Sequence, residues 1–473
     1  MRKYFTFIYT FICVSSMLYG QAVEPNNTAL LHYQEYCSNC HGPNFQGGNA
    51  QSLVDGIWQF GGERSYMFRN IKFGIQHLGM PSYAASLSDD DINSLVAFLL
   101  EEEKKAGAER PPIPEMIETQ DYKIKIEVIA ESLEVPWSID FLDENSALIT
   151  ERPGRVRIVK DGQLIEAPLE GTPEVLNEGQ GGLMDVAVDP NYEDNGWIYL
   201  SYSHELKQDV AADERTPAMT RIVRGQIMGN QWMNQQTIFE APEDTYRNTR
   251  HHYGSRIVFD PEGFLYFSIG DRGARPHAQD ITKPNGKVHR ILTNGDIPKD
   301  NPFVSQPEAI KSIYAYGNRN PQGLAVHPET GQVWDTEHGP FGGDELNLIL
   351  GGKNYGWPEI TYGRNYNGTV ITEQTEKDGM EQPNLYWKPS IAVCGLDFYD
   401  GDLFPKWQNK LMVGALKYEE VKLLHIEGDR VIHEQTIVKN LGRVRDVTTG
   451  PDGAVYVVLN NPDKVIRLTP IKE

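Results

Sequence analysis

Residues 256–267 read Arg-Ile-Val-Phe-Asp-Pro-Glu-Gly-Phe-Leu-Tyr-Phe, which is an apolar strand, a tight turn and a second apolar strand. Looser copies of this pattern begin at Ser138, Met184, Gly323, Gly395 and Asp446. These are about six units over roughly 350 residues, a length per unit that suits a four-stranded propeller blade. A hairpin cannot bury its apolar face alone, whereas blades stacked around an axis can. The repeat predicts an all-β six-bladed β-propeller, although its irregular spacing leaves five or seven blades open.

A second informative stretch precedes the repeats. Cys37-Ser38-Asn39-Cys40-His41 has the C-x-x-C-H pattern of a c-type haem attachment site. Each thiol can bind one haem vinyl group, and the histidine becomes the proximal iron ligand. A zinc site would need two more ligands, but the other cysteines, Cys13 and Cys394, form no second C-x-x-C pair. A thioredoxin-like dithiol would need a βαβ context, whereas residues 26–36 show helical periodicity.

The residues after the haem motif complete a cytochrome pattern. Met80, in the non-helical stretch Gly79-Met80-Pro81, offers a thioether as the distal iron ligand, and His77 is its competitor. Ser88 can cap a following helix whose first turn is acidic. A helix, C-x-x-C-H, a methionine loop and a helix follow one another in small class I cytochromes c. We therefore expect a small all-α cytochrome c domain over residues 23–105, binding haem c through Cys37, Cys40, His41 and Met80.

The chain begins with the features of a secretory signal peptide. Basic Arg2 and Lys3 precede an apolar stretch, Tyr4 to Met17, that is too short to cross a bilayer comfortably. We expect residues 1–22 to be removed, leaving a periplasmic or otherwise exported protein with no membrane span. A retained signal anchor is the alternative.

Charge and proline content define the remaining organisation. The 473-residue chain has a formal net charge of −22, which repels nucleic acid and excludes that class of partner. The same charge would suit a basic electron acceptor. Pro111, Pro112 and Pro114 follow a charged helix end, so residues 106–121 are expected to form a linker before a propeller at 122–473.

Polar clusters interrupt the repeats at positions expected for loops, where propellers place their functional residues. The clusters lie at 250–256, 268–273, 317–323, 337–345, 415–417 and 443–446. Together they supply strong cations, a histidine that could pair with an aspartate, and a Gly-Pro turn rich in carbonyl groups. Such a set would hold a planar, multiply anionic and metal-chelating cofactor.

These segments resemble the soluble PQQ-dependent glucose dehydrogenase and aldose sugar dehydrogenase family, whose fold is a six-bladed propeller. The resemblance covers roughly residues 130–470 and includes the phrases Gly317-Asn-Arg-Asn-Pro-Gln-Gly-Leu-Ala and Gly352-Lys-Asn-Tyr-Gly-Trp-Pro. PQQ (pyrroloquinoline quinone) carries three carboxylates and an ortho-quinone. The cytochrome is an additional module relative to the single-domain members.

The resemblance implies catalytic and substrate roles for four residues. His252 would be the general base, and Asp271 would orient and polarise it. Gln180 and, more weakly, Trp387 would contact the substrate. His251 stands where the glucose enzymes have an aspartate, so the contacts with the sugar are expected to differ.

The resemblance also implies the cofactor and metal ligands. PQQ would be bound by Arg319, Asn320, Lys417, Arg443, Arg445 and Tyr366. The main-chain carbonyls of Gly339 and Pro340 would bind a Ca²⁺ ion that PQQ also binds. Glu345 and Tyr355 match a further calcium site.

The implied function is oxidation of an aldose sugar, from the C1 hydroxyl to a lactone, with PQQ as the oxidant. Electrons would then pass to the haem and to an external acceptor such as a cytochrome, a cupredoxin or a quinone pathway. One alternative keeps this chemistry for another polyol, an alcohol or a sugar aldehyde. A different class of function is a non-enzymatic binding propeller that carries an electron-transfer cytochrome.

Overall fold

The computed structural model describes residues 25–56, 58, 64–75, 79–107, 110–208 and 215–471. The chain divides into a helical unit that ends at Arg110 and a β-sheet unit that begins at Pro111. The expected signal peptide, residues 1–22, and the competing haem ligand His77 lie outside the described residues. Among the helices of the described ranges, none is long and apolar enough to cross a membrane.

The helical unit contains four described helices: α1 (Pro25–Tyr36), α2 (Ser38–His41), α3 (Arg64–Phe73) and α4 (Asp89–Ala106). The predicted cap of α4 is present, since the Ser88 side chain accepts from the Asp91 amide and the Asp91 side chain accepts from the Ser88 amide. Gly107 ends the helix in the left-handed region, with φ 63°. The apolar faces of α1, α3 and α4 meet in one core that includes Tyr33, Met67 and Leu95.

Two strands, β1 (Met116–Glu118) and β2 (Lys123–Ala130), precede the first blade. Part of the stretch 106–121 that the prolines predict as a linker is therefore strand β1, which pairs antiparallel with β2.

The next strands form three four-stranded antiparallel sheets in simple sequential order. The first blade comprises β3 (Pro136–Asp143), β4 (Ser146–Glu151), β5 (Arg155–Lys160) and β6 (Gln163–Leu164). The second comprises β7 (Leu183–Val188), β8 (Ile198–Glu205), β9 (Ala218–Met228) and β10 (Gln231–Phe239), with the one-turn helix α5 (Tyr192–Asn195) between β7 and β8. The third comprises β11 (Ile257–Phe259), β12 (Phe264–Ile269), β13 (Lys287–Leu292) and β14 (Ile313–Tyr316).

Three further sheets complete the propeller. The fourth blade comprises β15 (Pro321–Val326), β16 (Val333–Glu337), β17 (Asp344–Ile349) and β18 (Leu385–Trp387). The fifth comprises β19 (Val393–Phe398), β20 (Leu411–Ala415), β21 (Glu420–Glu427) and β22 (Arg430–Lys439). The sixth comprises β23 (Arg443–Thr449), β24 (Val455–Asn460) and β25 (Lys464–Pro470) from the end of the chain, together with β2 and β1 from before the first blade. The prediction of a six-bladed propeller after an all-α domain is confirmed.

The first strands of adjacent blades lie against one another all the way round, from β3 through β7, β11, β15, β19 and β23 back to β3. Partly buried aspartates join several of these neighbours. Asp140 Oδ2 accepts from the Val188 amide at 2.7 Å, and Asp397 Oδ2 accepts from the Thr449 amide at 2.8 Å. These carboxylates belong to the sequence repeat, so the repeat encodes contacts between blades as well as hairpins.

Because the first strands encircle the axis in the same direction, all of them begin at one end of the propeller. The second strand of each blade is antiparallel to the first and therefore finishes at that end. The predicted site residues lie before first strands (Gln180, His252, Arg319, Asn320), after second strands (Asp271, Gly339, Pro340, Lys417), or within the first three residues of β23 (Arg443, Arg445). The topology gathers them at one end of the axis.

Candidate active site and haem site

The centre of the candidate site is a contact between His252 and Asp271. His252 precedes β11 and Asp271 follows β12, so the antiparallel pairing of these strands brings the two residues together. His252 Nδ1 lies 2.7 Å from Asp271 Oδ1, and the His252 amide donates to Gln180 Oε1 at 2.8 Å. The geometry leaves His252 Nε2 as the ring nitrogen that could accept a proton from a substrate.

His252 adopts an uncommon backbone conformation, with φ 58°. The turn that carries Asp271 packs tightly against the backbone of His252. A Cβ atom on Gly270 would lie 2.3 Å from the His252 carbonyl oxygen. A side chain at position 270 would therefore displace the base.

Electrostatics keep the imidazole neutral and the carboxyl ionised. Burial, followed by the positive charge of Arg319, lowers the pKa of His252 to about 4, against the opposing effect of Asp271. Burial alone would raise the pKa of Asp271, but His252, Arg319 and the Gly273 amide outweigh it, so this pKa lies below its ordinary value. A neutral imidazole beside a carboxylate is suited to take up a proton.

Arg319 joins the base to the Gly-Pro turn. Its Nη1 donates to the carbonyl oxygens of His338 and Gly339, each at 2.7 Å, and its own carbonyl accepts from the Asp271 amide at 2.7 Å. Asn320 Oδ1 accepts from the Gly254 amide at 3.1 Å. The structure thus places Arg319, Asn320 and Gly339 in one network with the loop that carries His252.

The other predicted cofactor residues lie at the same end of the propeller. Arg443 is buried at the start of β23. Arg445 Nε donates to Asn460 Oδ1 at 3.3 Å, and its Nη1 lies 3.7 Å from the Cys394 sulfur. Lys417 is half-buried, and Tyr366 is an exposed loop residue.

Trp387 also lies at this end, because it pairs with Asp344 at the start of β17 and its carbonyl accepts from the Gly343 amide at 3.0 Å. It lies on β18, the last strand of its blade, where its indole N–H donates to Glu434 Oε2 at 3.0 Å and its ring packs in the core between the fourth and fifth blades. Its indole N–H is used within the protein, and the role in substrate binding expected from the sequence stays a prediction.

The two residues expected to form a further calcium site are not in contact with each other through their side chains. Tyr355 uses its hydroxyl group to donate to the Leu348 carbonyl at 2.6 Å and to accept from the Leu350 amide at 2.8 Å. Glu345 faces Glu337 across strands β16 and β17, and burial followed by that charge raises the pKa of Glu345. No group of three or more His, Cys, Asp or Glu residues in the described ranges could hold a metal ion.

Sequence reasoning missed three residues that support the site. The Trp357 indole N–H donates to Asp271 Oδ2 at 2.8 Å, and its ring centroid lies 5.3 Å from the Arg319 guanidinium carbon. Glu337 Oε2 accepts from the amides of Arg319 and Asn320. Burial, followed by the positive charges of Arg319 and Arg445, lowers the pKa of His338 to about 3. Trp357 and His338 stand in motifs that the sequence singled out, but only the folded chain shows their partners.

The residues present fit the implied PQQ and calcium. Arg319 Nε and His338 Nε2 are buried atoms without a hydrogen-bond partner, which a polar ligand would supply. Arg319, Lys417, Arg443 and Arg445 are the cations that a tricarboxylate needs. The Gly339 and Pro340 carbonyls each accept one hydrogen bond within the protein, and a second lone pair on each suits Ca²⁺.

The helical unit likewise fits a covalent haem. Cys37 and Cys40 are free thiols at the start and in the middle of the turn formed by α2. His41 Nδ1 lies 2.8 Å from the Gln51 carbonyl, which leaves Nε2 for the iron. Met80 is partly buried against the core of this unit.

Comparison with known proteins identifies both units. Residues 133–467 match the family described as Glucose / Sorbosone dehydrogenase. Residues 27–99 match the family described as Cytochrome C oxidase, cbb3-type, subunit III, so the N-terminal unit is a cytochrome c-type domain.

Individual relatives match the propeller over nearly their full length. Aldose sugar dehydrogenase YliI of Escherichia coli (strain K12) is 41% identical over 354 residues, which is 73% of this chain and 93% of that protein. Quinoprotein glucose dehydrogenase B of Acinetobacter calcoaceticus is 27% identical over 417 residues, covering 71% of this chain and 84% of that protein. The crystal structure of the soluble aldose sugar dehydrogenase from Escherichia coli in the apo-form aligns with a TM-score of 0.68 and 39% identity, covering 74% of this chain and 100% of that chain.

These matches confirm the resemblance inferred from the sequence motifs. A family match over most of the chain agrees with the six blades and with the gathering of the polar motifs at one end of the axis. The chain belongs to the Glucose / Sorbosone dehydrogenase family and carries an N-terminal cytochrome c-type domain.

Proposed function

We propose that the protein is an exported, PQQ-dependent dehydrogenase that oxidises the C1 hydroxyl of an aldose sugar to a lactone. The observation that carries this proposal is the 2.7 Å contact between His252 and Asp271, beside an arginine that reaches the Gly-Pro turn. The names of the relatives support a sugar as the substrate and a quinone as the oxidant.

In this proposal the chain positions the sugar and moves one proton. His252 Nε2 takes the proton of the C1 hydroxyl while Asp271 accepts from Nδ1–H and stabilises the imidazolium that forms. Asp271 can do so because its pKa is held below the ordinary value, so it stays an anion when the ring is charged. Gln180 is fixed through its Oε1 by the His252 amide, and its side-chain NH₂ remains available to the sugar.

The cations prepare the site for the cofactor. When bound, PQQ supplies the acceptor for the two electrons that leave the sugar carbon. Arg319, Asn320, Lys417, Arg443 and Arg445 would bind it, and Tyr366 would contact it at the rim. Gly339 and Pro340 would hold Ca²⁺ through their carbonyl oxygens, and this charge would add to that of the arginines.

The haem would provide the route out for the electrons, in the order sugar, PQQ, haem and external acceptor. Cys37 and Cys40 would hold the haem, with His41 and Met80 as axial ligands. A haem on the same chain is a one-electron acceptor at high effective concentration. The acidic chain is suited to a basic soluble acceptor in an exported compartment.

Reconstitution tests the enzymatic proposal. Apo-protein supplied with PQQ and Ca²⁺ should reduce an artificial dye when given an aldose, and a panel of sugars, polyols and alcohols should identify the preferred substrate. His252→Ala should lose most of this activity, whereas His425→Ala, which removes an exposed histidine on β21, should retain it. Absence of dye reduction with every substrate would refute the enzymatic proposal, and full turnover by His252→Ala would refute the assigned base.

A further inference from the structure

Arg272, which directly follows Asp271, is buried in an unusual way. Its side chain is fully inaccessible to solvent, and none of the ion pairs among the described residues includes it. A buried guanidinium that has no carboxylate against it must be satisfied by other acceptors, because an unsatisfied buried charge is strongly destabilising. The acceptors of its hydrogen bonds show which segment of the chain Arg272 supports.

Both Nη atoms of the guanidinium donate to main-chain carbonyls, whereas the buried Nε has no hydrogen-bond partner. Nη1 donates to the His251 carbonyl, and Nη2 donates to the Thr249 carbonyl at 2.8 Å and to the Ala218 carbonyl at 3.2 Å. The guanidinium carbon lies 3.5 Å from the centroid of the Tyr253 ring. Arg272 therefore contacts the chain on both sides of His252.

The segment that carries the base has little regular support of its own. Arg247 pairs with Ala218, and Ser255 pairs with the Ser268 carbonyl, but residues 248–254 between them lie outside the described strands. Side chains hold this segment instead: Gln180 accepts from the His252 amide, and Asn320 accepts from the Gly254 amide. The Gln180 amide also donates to the Arg250 carbonyl at 2.8 Å, and the Arg272 side chain donates to the carbonyls of both Thr249 and His251.

The conformation of His252 makes such support necessary. A φ of 58° is disfavoured for a residue with a side chain, and it persists only where the surroundings fix it. Without the clamp, the peptide on either side of His252 could relax and move the ring away from Asp271.

We propose that Arg272 is a positioning residue for the general base, which clamps residues 249–253 so that His252 keeps its strained backbone and its contact with Asp271. The proposal rests on the proposed function for the identity of the base. It requires an arginine, because the planar fork places several N–H groups at once and stacks on the Tyr253 ring, whereas a lysine offers a single charged point.

The test compares Arg272→Met and Arg272→Lys with Arg290→Met. Arg290 lies in the same blade, is buried, pairs with Asp300 at 2.8 Å and donates to Asn301 at 2.7 Å. We expect Arg272→Met to lower kcat by about 10- to 100-fold, the range expected when a reacting group is misplaced by about 1 Å, and to leave the KM for the sugar within about twofold. Arg272→Lys should fall between Arg272→Met and the wild type, and Arg290→Met should retain kcat.

A second measurement does not depend on activity. Hydrogen–deuterium exchange of the apo-protein should quicken in residues 248–254 of Arg272→Met, while strands β11 to β14 keep their protection. Faster exchange throughout the third blade, a kcat loss equal to that of Arg290→Met, or wild-type kcat in Arg272→Met would each overturn the proposal. Failure of both Arg272 variants to fold, with Arg290→Met folded, would also overturn it.

The two proposals fail separately. If the wild-type protein oxidises no sugar after reconstitution, the proposed function is wrong, and the exchange data still decide whether Arg272 clamps the segment. If the wild type is active and exchange in residues 248–254 is unchanged in Arg272→Met, the clamp alone is wrong.

Discussion

The surroundings of His252 determine the protonation state of its imidazole. The imidazole is mostly buried, with 14% of its side chain exposed, and it lies between a carboxylate that favours the charged ring and an arginine that opposes it. Burial decides the balance, so the folded protein holds a neutral base.

This balance predicts the titration of His252 in the apo-protein. Its pKa is about 4, well below the usual value near 6.5, so the ring should stay neutral down to about pH 5. NMR of the imidazole signals, assigned by comparison with His252→Asn, should show this midpoint. Asp271→Asn should lower the midpoint further, because it removes the anion that favours the charged ring; a midpoint near 6.5 in the wild type would contradict the environment described.

Trp357 provides a second prediction at this scale. Its indole N–H is a donor to the oxygen of Asp271 that His252 does not use. Trp357→Phe should raise the pKa of Asp271 and lower kcat by about 10-fold, a cost of about 1.4 kcal/mol for one lost hydrogen bond to a charged group. Trp407→Phe is the matched control, since its buried indole N–H donates to Asp121 Oδ2 at 3.1 Å, and it should leave kcat unchanged.

At the scale of elements, residues at the ends of helices and strands determine where a helix begins and which site residues lie together. The Ser88 cap of α4 was readable from sequence because Ser and Asp stand three positions apart before an apolar run. Asp89 to Asp91 and Lys104 to Lys105 also lie at the helix ends that favour their charges.

The cap predicts a change in the stability of the cytochrome unit. Ser88→Ala should reduce its free energy of unfolding by about 1 kcal/mol, because the Asp91 amide loses its acceptor. Ser94→Ala is the control, since Ser94 lies within α4 and donates to the Asp90 carbonyl one turn earlier. Urea unfolding followed by the haem absorbance should separate the two variants, and equal midpoints would contradict a contribution from the cap.

Element ends also explain how far the sequence could predict the site. The repeat located the strands that begin each blade, and the polar clusters that contain His252, Asp271 and Arg319 were expected in loops, where propellers place their functional residues. Trp387 follows a loop of 35 residues after β17, so no local pattern could predict its packing between the fourth and fifth blades. The clamp by Arg272 was also missed, because carbonyl groups distant in the sequence become its partners only after folding.

At the scale of the whole molecule, the proposed quinone site of the propeller and the cytochrome unit of the same chain would form a route for electrons. Dye reduction measures the propeller alone, whereas reduction of the haem measures both units. Dye reduction therefore tests oxidation of the sugar by the propeller, and haem reduction also tests electron transfer from the propeller to the cytochrome unit.

Replacing Cys37 and Cys40 with alanine tests the pathway. The double variant should keep substrate-driven dye reduction, because the propeller is untouched, and should lose the substrate-driven haem signal. Ser38→Ala is the control, since Ser38 lies between the two cysteines and its hydroxyl donates only to the Gln34 carbonyl among the described contacts, and it should keep both signals. Loss of dye reduction in the double variant would contradict the assignment of sugar oxidation to the propeller.

The closure of the sixth blade has a consequence for the order in which the chain matures. Strand β25 pairs along β2, so the sixth blade joins strands that precede the first blade to strands that follow the fifth. The ring of blades can therefore close only after β25 has been synthesised, whereas every residue of the cytochrome unit precedes β2 and is available earlier. Haem attachment can precede closure, so a chain truncated before Lys464 would carry a complete cytochrome unit and an open propeller.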